Sequence, residues 1–389
     1  MNEGHGLSRH GKGRGRWRFV VGGMVVLGAI LGLLLWTSTD GLVTFGATPE
    51  GERLKRMQAS PRFRAGVFMN TTPTPVSRPG TFWSSNREWI FGEEQRKPPK
   101  PLPLAREVAK TLARPPESGL RVTWLGHSTL LVEIDGARIL TDPIWSEIAS
   151  PTTLLGPERF HPPPLAIEEM PRLDAVVISH DHYDHLDMDT IRALAPRGVT
   201  FYVPLGIGAH LERWGVAPER VVELDWWQEV SLGDSGVKLV ATPSHHYSGR
   251  SLNRNQTLWA SWSLIGPGHR VFFSGDTGMT PEFAEIGRRF GPFDLTMIEV
   301  GAYHPSWGYI HLGPRNALEV HALVNGRRML PMHWSTFNLA MHAWDEPAEA
   351  VVREARERQV ELVTPMLGQP IEPTLGAATT PWWREVRAH

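Results

Sequence analysis

The sequence predicts an α/β fold, and three observations carry that reading. Short apolar, β-branched runs alternate with segments that bear helix-capping signals. Histidines and carboxylates gather just past the ends of those runs, where α/β sheets carry their chemistry. One run, residues 175–178, opens directly onto Ser179-His180-Asp181-His182-Tyr183-Asp184-His185. Imidazole nitrogen and carboxylate oxygen at that density suit zinc and similar first-row metals.

The elements follow in chain order. Residues 1–18 are Gly-rich and basic, with Arg9, Lys12, Arg14, Arg16 and Arg18 opposed only by Glu3, the composition of a disordered segment. Residues 19–36 carry no charge and are bracketed by Trp17 and Trp36. They are long enough to cross a bilayer as a helix, at the short end. The tryptophans would sit at its interfaces and the basic flank on the cytoplasmic side. This predicts a single-pass anchor in the cell membrane, with the rest of the chain on the outer, extracytoplasmic side. A signal peptide would have a shorter apolar core and a small-x-small cleavage site, and none follows Trp36.

Residues 37–118 are Pro-, Arg- and Ser-rich and predict an extended segment that wraps the main domain. A short helix is expected over 52–59, ended by Ser60-Pro61. Lys97-Pro98-Pro99-Lys100-Pro101 reads as an extended linker. The texture changes at 119, where the domain running to 389 begins. Strands are expected at 121–125, 129–134 and 138–141, with Asp135-Gly136 as a hairpin turn. Asp142-Pro143 ends that unit, and 146–172 is a Pro-rich excursion. Asp187 caps a helix over 188–194. Further strands are expected at 200–203, 221–224, 237–241, 259–265, 271–274, 295–300 and 329–332. Thr280-Pro281 opens a helix closed by Gly291. Gly313-Pro314 opens another, and Asp345-Glu346-Pro347 a third that reaches 359.

Composition narrows the function. The chain has 389 residues, enough for a large core, and a formal net charge of −1, which leaves no field to attract nucleic acid. It has no cysteine, which excludes thiolate zinc sites, disulfides and a cysteine nucleophile.

A two-metal site needs more ligands than one turn offers. Three other strands run into suitable residues: 237–241 into His245 and His246, 271–273 into Asp276, and 329–332 into His333. The assignment is then His180, His182 and one of His245 or His246 for one cation; Asp184, His185 and His333 for the other; and Asp276 between them.

These residues resemble the metallo-β-lactamase superfamily, and more closely its N-acyl-phosphatidylethanolamine-hydrolysing phospholipase D family. The likeness covers roughly 120–340. It rests on Thr123-Trp124-Leu125-Gly126-His127-Ser128-Thr129, Leu140-Thr141-Asp142-Pro143, the His180–His185 cluster, 243–250, 255–262, 273–278, 289–294, Gly301-Ala302-Tyr303 and His333-Trp334-Ser335-Thr336-Phe337. The resemblance implies a four-layer αββα sandwich with two zinc ions, or other divalent first-row metals, between its sheets. Its Pro-x-x-His register selects His246 over His245. The stretch Trp307-Gly308-Tyr309-Ile310-His311 departs from the family pattern on the substrate side.

The expected chemistry is metal-assisted hydrolysis. Two cations lower the pKa of a bridging water toward about 7, and the hydroxide attacks an ester phosphorus or carbonyl carbon. Asp184 and Asp276 hold the catalytic metals, and His311 is the candidate substrate contact or proton donor. His127 is expected to hydrogen-bond a ligand from behind. Trp226, Trp227 and Trp307 are candidate apolar walls for acyl chains. The leading function is a phosphodiesterase of the phospholipase D type acting on a lipid or small phosphodiester. The alternatives are a sugar-phosphate lactonase and a non-catalytic metal-binding membrane protein; a complete ligand set argues against the latter.

Overall fold

The side chains of a strand alternate between its two faces, and here that alternation separates two cores. Leu120, Val122, Trp124, Leu130, Val132 and Ile139 join one buried cluster with Leu239, Trp262, Leu264, Val271 and Leu295. Leu131, Leu140, Val176, Phe201 and Val203 join a second, with Ile191, Leu194 and Leu211 from helices. The first cluster contains the seam between two sheets and continues through the second sheet to Phe283, Ile286, Leu318 and Val351 of its helices, and the second backs the other sheet with helices. The computed structural model describes residues 21–28, 30–32, 41–73, 75–251, 253–376 and 380–387.

A small hairpin, β1 (Phe63–Arg64) with β2 (Val67–Phe68), precedes the sheets. The first sheet comprises β3 (Leu120–Gly126), β4 (Thr129–Ile134), β5 (Ala137–Thr141), β6 (Ala175–Val177), β7 (Thr200–Pro204) and β8 (Val221–Leu224). The second comprises β9 (Glu229–Ser231), β10 (Lys238–Thr242), β11 (Ser261–Ile265), β12 (Arg270–Phe273), β13 (Phe293–Glu299), β14 (Gly326–Met332) and β15 (Glu361–Leu362). A last strand, β16 (Pro370–Ile371), returns to pair with β3. The strand orders are β16-β3-β4-β5-β6-β7-β8 and β15-β14-β13-β12-β11-β10-β9. Both sheets are mixed. Antiparallel pairing joins β3 to β5 and β9 to β12, and parallel pairing joins β5 to β8 and β12 to β15. By this arithmetic β3, β5 and β6 point one way in their sheet, and β10, β12, β13 and β14 one way in theirs.

The local signals act as the residues require. Asp135 and Gly136 both take positive φ, 47° and 87°, as a two-residue hairpin demands. The Asp187 side chain accepts from the Asp189 N–H at the start of Met188–Leu194. Gly291 follows Glu282–Phe290, and Pro sits in the first turn of Gly313–Leu323 and Glu346–Arg358. The expected strand over 259–265 is shorter, starting at Ser261.

Several elements were not anticipated: the helices Phe82–Phe91, Val108–Leu112 and Gly208–Arg213, and the short strands β9, β15 and β16. The edge strands span two or three residues, too few to show a period. Phe82–Phe91 has no buried residue, so its apolar positions trace no core-facing stripe.

Residues 41–118 lie against the body at named points. Arg53 pairs with Glu212 at 2.7 Å and Glu223 at 3.0 Å. Met57 and Phe68 pack with Leu205, Leu258 and Trp259. Most of the anticipated membrane span, 19–36, lies outside the described residues. Residues 21–28 and 30–32 are helical, with Met24, Val25, Leu27 and Ile30 exposed. Among the described residues no helix is long and apolar enough to cross a membrane.

His321 gives the fold a measurable acid sensitivity. Its Nδ1 lies 2.8 Å from the Thr296 hydroxyl, and burial holds its pKa down at about 4. Between pH 6.5 and 4 the unfolded chain binds a proton there that the folded chain refuses. Stability therefore falls with acidification, by about 1.4 kcal/mol per pH unit for this one group. Urea denaturation of wild type and His321→Gln across that window should give a stability difference that changes with pH in this sense. A constant difference would remove His321 from the acid limb.

Candidate metal centre

Strands that run the same way deliver their C-terminal ends to one edge. β3 leads into His127, β5 into Asp142 and β6 into the turn 179–185. β10 leads to His245 and His246, β12 to Asp276, β13 ends in Glu299, and β14 is followed by His333. The two sheets are fastened at this edge. Trp262 on β11 donates its indole N–H to Ile178 O at 2.9 Å, and Ala260 N donates to Ser179 O at 2.9 Å. His127 and His333 both turn sharply, at φ 51° and 66°, and His333 N donates to His127 O at 3.0 Å.

The donors fall into overlapping groups, each with atoms within 4.8 Å of one another. One holds His180, His182, His246 and Asp276, and another His127, Asp184, His185 and His333. His180 Nε2 lies 2.9 Å from His182 Nδ1, and His246 Nε2 lies 3.3 Å from the same atom. Asp276 stands between the groups. Its Oδ2 is 3.9 Å from His180 Nε2, 3.8 Å from His246 Nε2 and 3.2 Å from His185 Nε2. Its Oδ1 is 3.1 Å from His333 Nε2, which lies 3.7 Å from Asp184 Oδ2. All seven residues expected as ligands thus converge. His246 lies in the cluster and His245 does not: His245 N donates to Thr277 Oγ1, and its Nε2 makes no hydrogen bond among the described residues.

The approach of Asp276 depends on small neighbours. A Cβ on Gly275, at φ 54°, would meet Ser179 Cβ at 2.5 Å, and one on Gly278 would meet Tyr309 O at 1.7 Å.

This donor set fits cations. His185 Nε2, His333 Nε2 and Asp276 Oδ1 are buried and make no hydrogen bond among the described residues, an arrangement that is costly unless a further partner binds there. Charge says the same. Burial and then His185, His182 and His246 hold His180 well below the ordinary imidazole range. Burial and His182 do likewise for His246. At His333 burial acts downward, but Asp276 overrides it and lifts the imidazole to about 10. The carboxylates therefore draw positive charge to this point, by protons where no metal is bound. Buried His and Asp clusters of this form are consistent with a two-metal site.

Carboxylates and hydroxyls behind the donors fix their orientation. Asp142, fully buried, accepts from Ser179 N at 2.6 Å and lies 2.8 Å from His185 Nδ1. Its other contact, Ser179 Oγ, lies 2.9 Å from His180 Nδ1. His127 Nε2 sits 2.9 Å from Asp184 Oδ2, behind a donor. Asn70 clamps the backbone of His246, donating to its O at 2.8 Å and accepting from its N at 3.2 Å. Sequence reasoning read Asp142 as a hairpin terminator within a family-like stretch, gave it no role at the centre, and missed Asn70 and Glu299. Asp142 and Glu299 obey the strand-end rule that found the other donors. Asn70 sits in an aperiodic stretch and gives no such signal.

A cleft of about 300 Å³ opens over the donors, lined by His182, Asp184, Asp276, His311 and His333, with Val76, Tyr247, Trp307, Ile310 and Leu339 as walls. Trp307 thus takes the place expected of it, but Trp226 and Trp227 do not. Trp226 donates its indole N–H to Trp259 O, and Trp227 lies under the Arg289 guanidinium. A larger cavity, about 470 Å³, shares no lining residue with the cleft and holds no histidine.

Fold and donor set together define a metal-dependent hydrolase of the metallo-β-lactamase superfamily. The chain belongs to that superfamily: residues 137–334 match the family model described as the Beta-lactamase superfamily domain. An uncharacterised protein of Mycobacterium tuberculosis is 45% identical over 339 residues, 84% of this chain and 88% of that one. The N-acyl-phosphatidylethanolamine-hydrolyzing phospholipase D 1 of Caenorhabditis elegans is 38% identical over 269 residues, 65% of this chain and 76% of that one. Its mitochondrial counterpart in Saccharomyces cerevisiae is 35% identical, over 58% of this chain and 50% of that one. Among solved structures, an isothiocyanate hydrolase from Delia radicum gut bacteria shares the fold, with a TM-score of 0.53 at 19% identity, over 65% of this chain and 98% of that one.

Removing the support behind the donors should weaken the site without dismantling it. Asp142→Ala leaves His185 and Ser179 unheld, and metal affinity is expected to fall about 10–100-fold in competition with a chromophoric chelator. An unchanged affinity would show that Asp142 serves the fold alone.

Proposed function

We propose that the chain is a phosphodiesterase of the N-acyl-phosphatidylethanolamine phospholipase D type. The observation that carries this is the convergence of His180, His182, Asp184, His185, His246, Asp276 and His333 beneath one cleft, in a chain 38% identical to a protein named for that activity. His180, His182 and His246 would hold one cation; Asp184, His185 and His333 would hold the other; Asp276 would offer one oxygen to each. Zinc suits this nitrogen and oxygen set. When bound, such a pair supplies Lewis acidity and a nucleophilic oxygen at neutral pH.

The chain's own groups do the rest. Asp276, short of hydrogen-bond partners and flanked by glycine, stays rigid while it shares its carboxylate. His311, whose Nδ1 is 3.9 Å from Asp276 Oδ2, stands on the cleft wall. Its Nε2 takes the proton that the attacking water loses and passes it to the alkoxide that leaves phosphorus, so that the products are a phosphate monoester and an alcohol. Val76, Trp307, Ile310 and Leu339 exclude water from the apolar part of the substrate.

A lipid substrate is supported by the surface beside the cleft. The helix Phe82–Phe91 exposes Phe82, Trp83, Ile90 and Phe91 by 65% or more, a patch unusual for a freely solvated face. It adjoins the cleft wall: Arg78 N donates to Ser306 O, Ser77 bridges Trp307, and Glu88 lies 3.1 Å from His304. Residues 19–36 are proposed to anchor the chain, with the metal centre on the outer side of the membrane.

Three measurements test this reading. Purified zinc-loaded protein should release an N-acylethanolamine and a phosphatidate from N-acyl phosphatidylethanolamine. Preferential turnover of lactones in the same panel would replace that substrate class. Asp276→Asn should abolish hydrolysis with little change in thermal unfolding of the metal-free protein, and retained turnover would remove its shared role. Trp83→Ser with Phe91→Ser should lower turnover of bilayer substrate about tenfold or more, leaving a soluble short-chain phosphodiester unaffected; an equal effect on both would exclude a surface-docking role.

A further inference from the structure

His311 is the one cleft imidazole assigned to proton transfer rather than to metal, and what lies behind it decides whether it can do that work. Its Nδ1 is 2.9 Å from Glu299 Oε2. Glu299 is the last residue of β13, fully buried in the strand's end. Its other oxygen, Oε1, accepts from Thr277 N at 2.9 Å and from Leu312 N at 3.2 Å. A carboxylate offers about four lone-pair positions, and three are taken here.

The groups Asp276, Glu299, His311 and His333 also lie close enough to hold a cation. The hydrogen bonds argue against that use of Glu299. An oxygen that already receives two backbone N–H groups has little left for a metal, and the second oxygen faces the imidazole.

We propose that Glu299 is the positioning residue for His311: it fixes the ring so that Nδ1 carries the hydrogen toward the sheet and Nε2 serves the cleft. The proposal rests on the phosphodiesterase reading for its consequence but not for its geometry. The logic is that of a buried carboxylate behind a catalytic imidazole, which sets the tautomer and steadies the charged ring when it forms. The same carboxylate holds Thr277 N, one residue beyond Asp276, so the turn that carries the shared aspartate and the ring that moves the proton are fixed from a single point.

Glu299→Gln separates this role from a structural one. Two backbone N–H groups require oxygen at the Oε1 position, so the amide nitrogen must face His311. It then donates to Nδ1, and the ring is forced to carry its hydrogen on Nε2. Two readouts follow on the full zinc-loaded chain. In 15N spectra of histidine-labelled protein, with His311 assigned by its loss in His311→Gln, wild type should show hydrogen on Nδ1 and Glu299→Gln on Nε2. This requires no turnover, so it stands even if no phosphodiester proves to be a substrate. In kinetics with the substrate identified above, kcat should fall on the order of 10²–10⁴-fold, with KM and two zinc per chain unchanged. Glu299→Gln combined with His311→Gln should be no slower than His311→Gln alone. Unchanged tautomer, kcat within twofold of wild type, multiplicative losses, or a drop in zinc content would each overturn the assignment.

Discussion

The centre depends on burying a few carboxylates among many imidazoles. Asp276 sits out of water and Asp184 is largely covered, with His180, His182, His185, His246 and His333 around them. Burial alone would drive those carboxyls toward the neutral form, yet the surrounding histidines hold Asp276 well below its ordinary range. His185 Nε2, His333 Nε2 and Asp276 Oδ1 stand close together yet make no hydrogen bond among the described residues, so the cluster is left short of partners without a further group. The rest of the molecule is a frame that keeps such a cluster from relaxing. Two sheets meet through an apolar seam, and Trp262 ties the seam to the turn that carries the first histidines.

That frame explains why the ligands can be scattered so widely along the chain. Each sheet places several strands side by side with their C-terminal ends on one edge, and each strand contributes one or two groups. The orientation of those groups is set one layer back. Asp142, Ser179, His127, Asn70 and Glu299 do not belong to the expected ligand set, yet each contacts a donor, its backbone or the cleft histidine. Packing positions the backbone, and a buried polar layer then chooses which imidazole nitrogen faces the centre.

Much of this was legible beforehand, for definite reasons. The central strands are mostly apolar, with exceptions such as Arg121, Glu133 and Asp294, so β3 to β6 and β11 to β14 stand out as runs. The donors stand out because a histidine or aspartate just past such a run breaks the texture. Asn70 did not, since a polar residue in a Pro- and Ser-rich stretch is unremarkable until it is found against His246. Trp226 and Trp227 could be offered as walls only beside the commoner core reading, because an aromatic pair says nothing about which face it will occupy, and they pack against core clusters. The helix Phe82–Phe91 escaped because its apolar side chains face outward, and periodicity identifies only what a core would take.

The short stretch at Thr44–Ala47 has mechanical significance. Arg250 takes Thr44 O at 2.8 Å through Nε and Asp181 O at 3.0 Å through Nη1, while Ala47 N donates to His210 at 3.0 Å. The polypeptide emerging from residue 40 is therefore stitched to the loop of His180 and His182 almost at once. A pull on Thr44–Ala47 would therefore reach the loop of His180 and His182 through a single guanidinium, before it loaded any strand of the core.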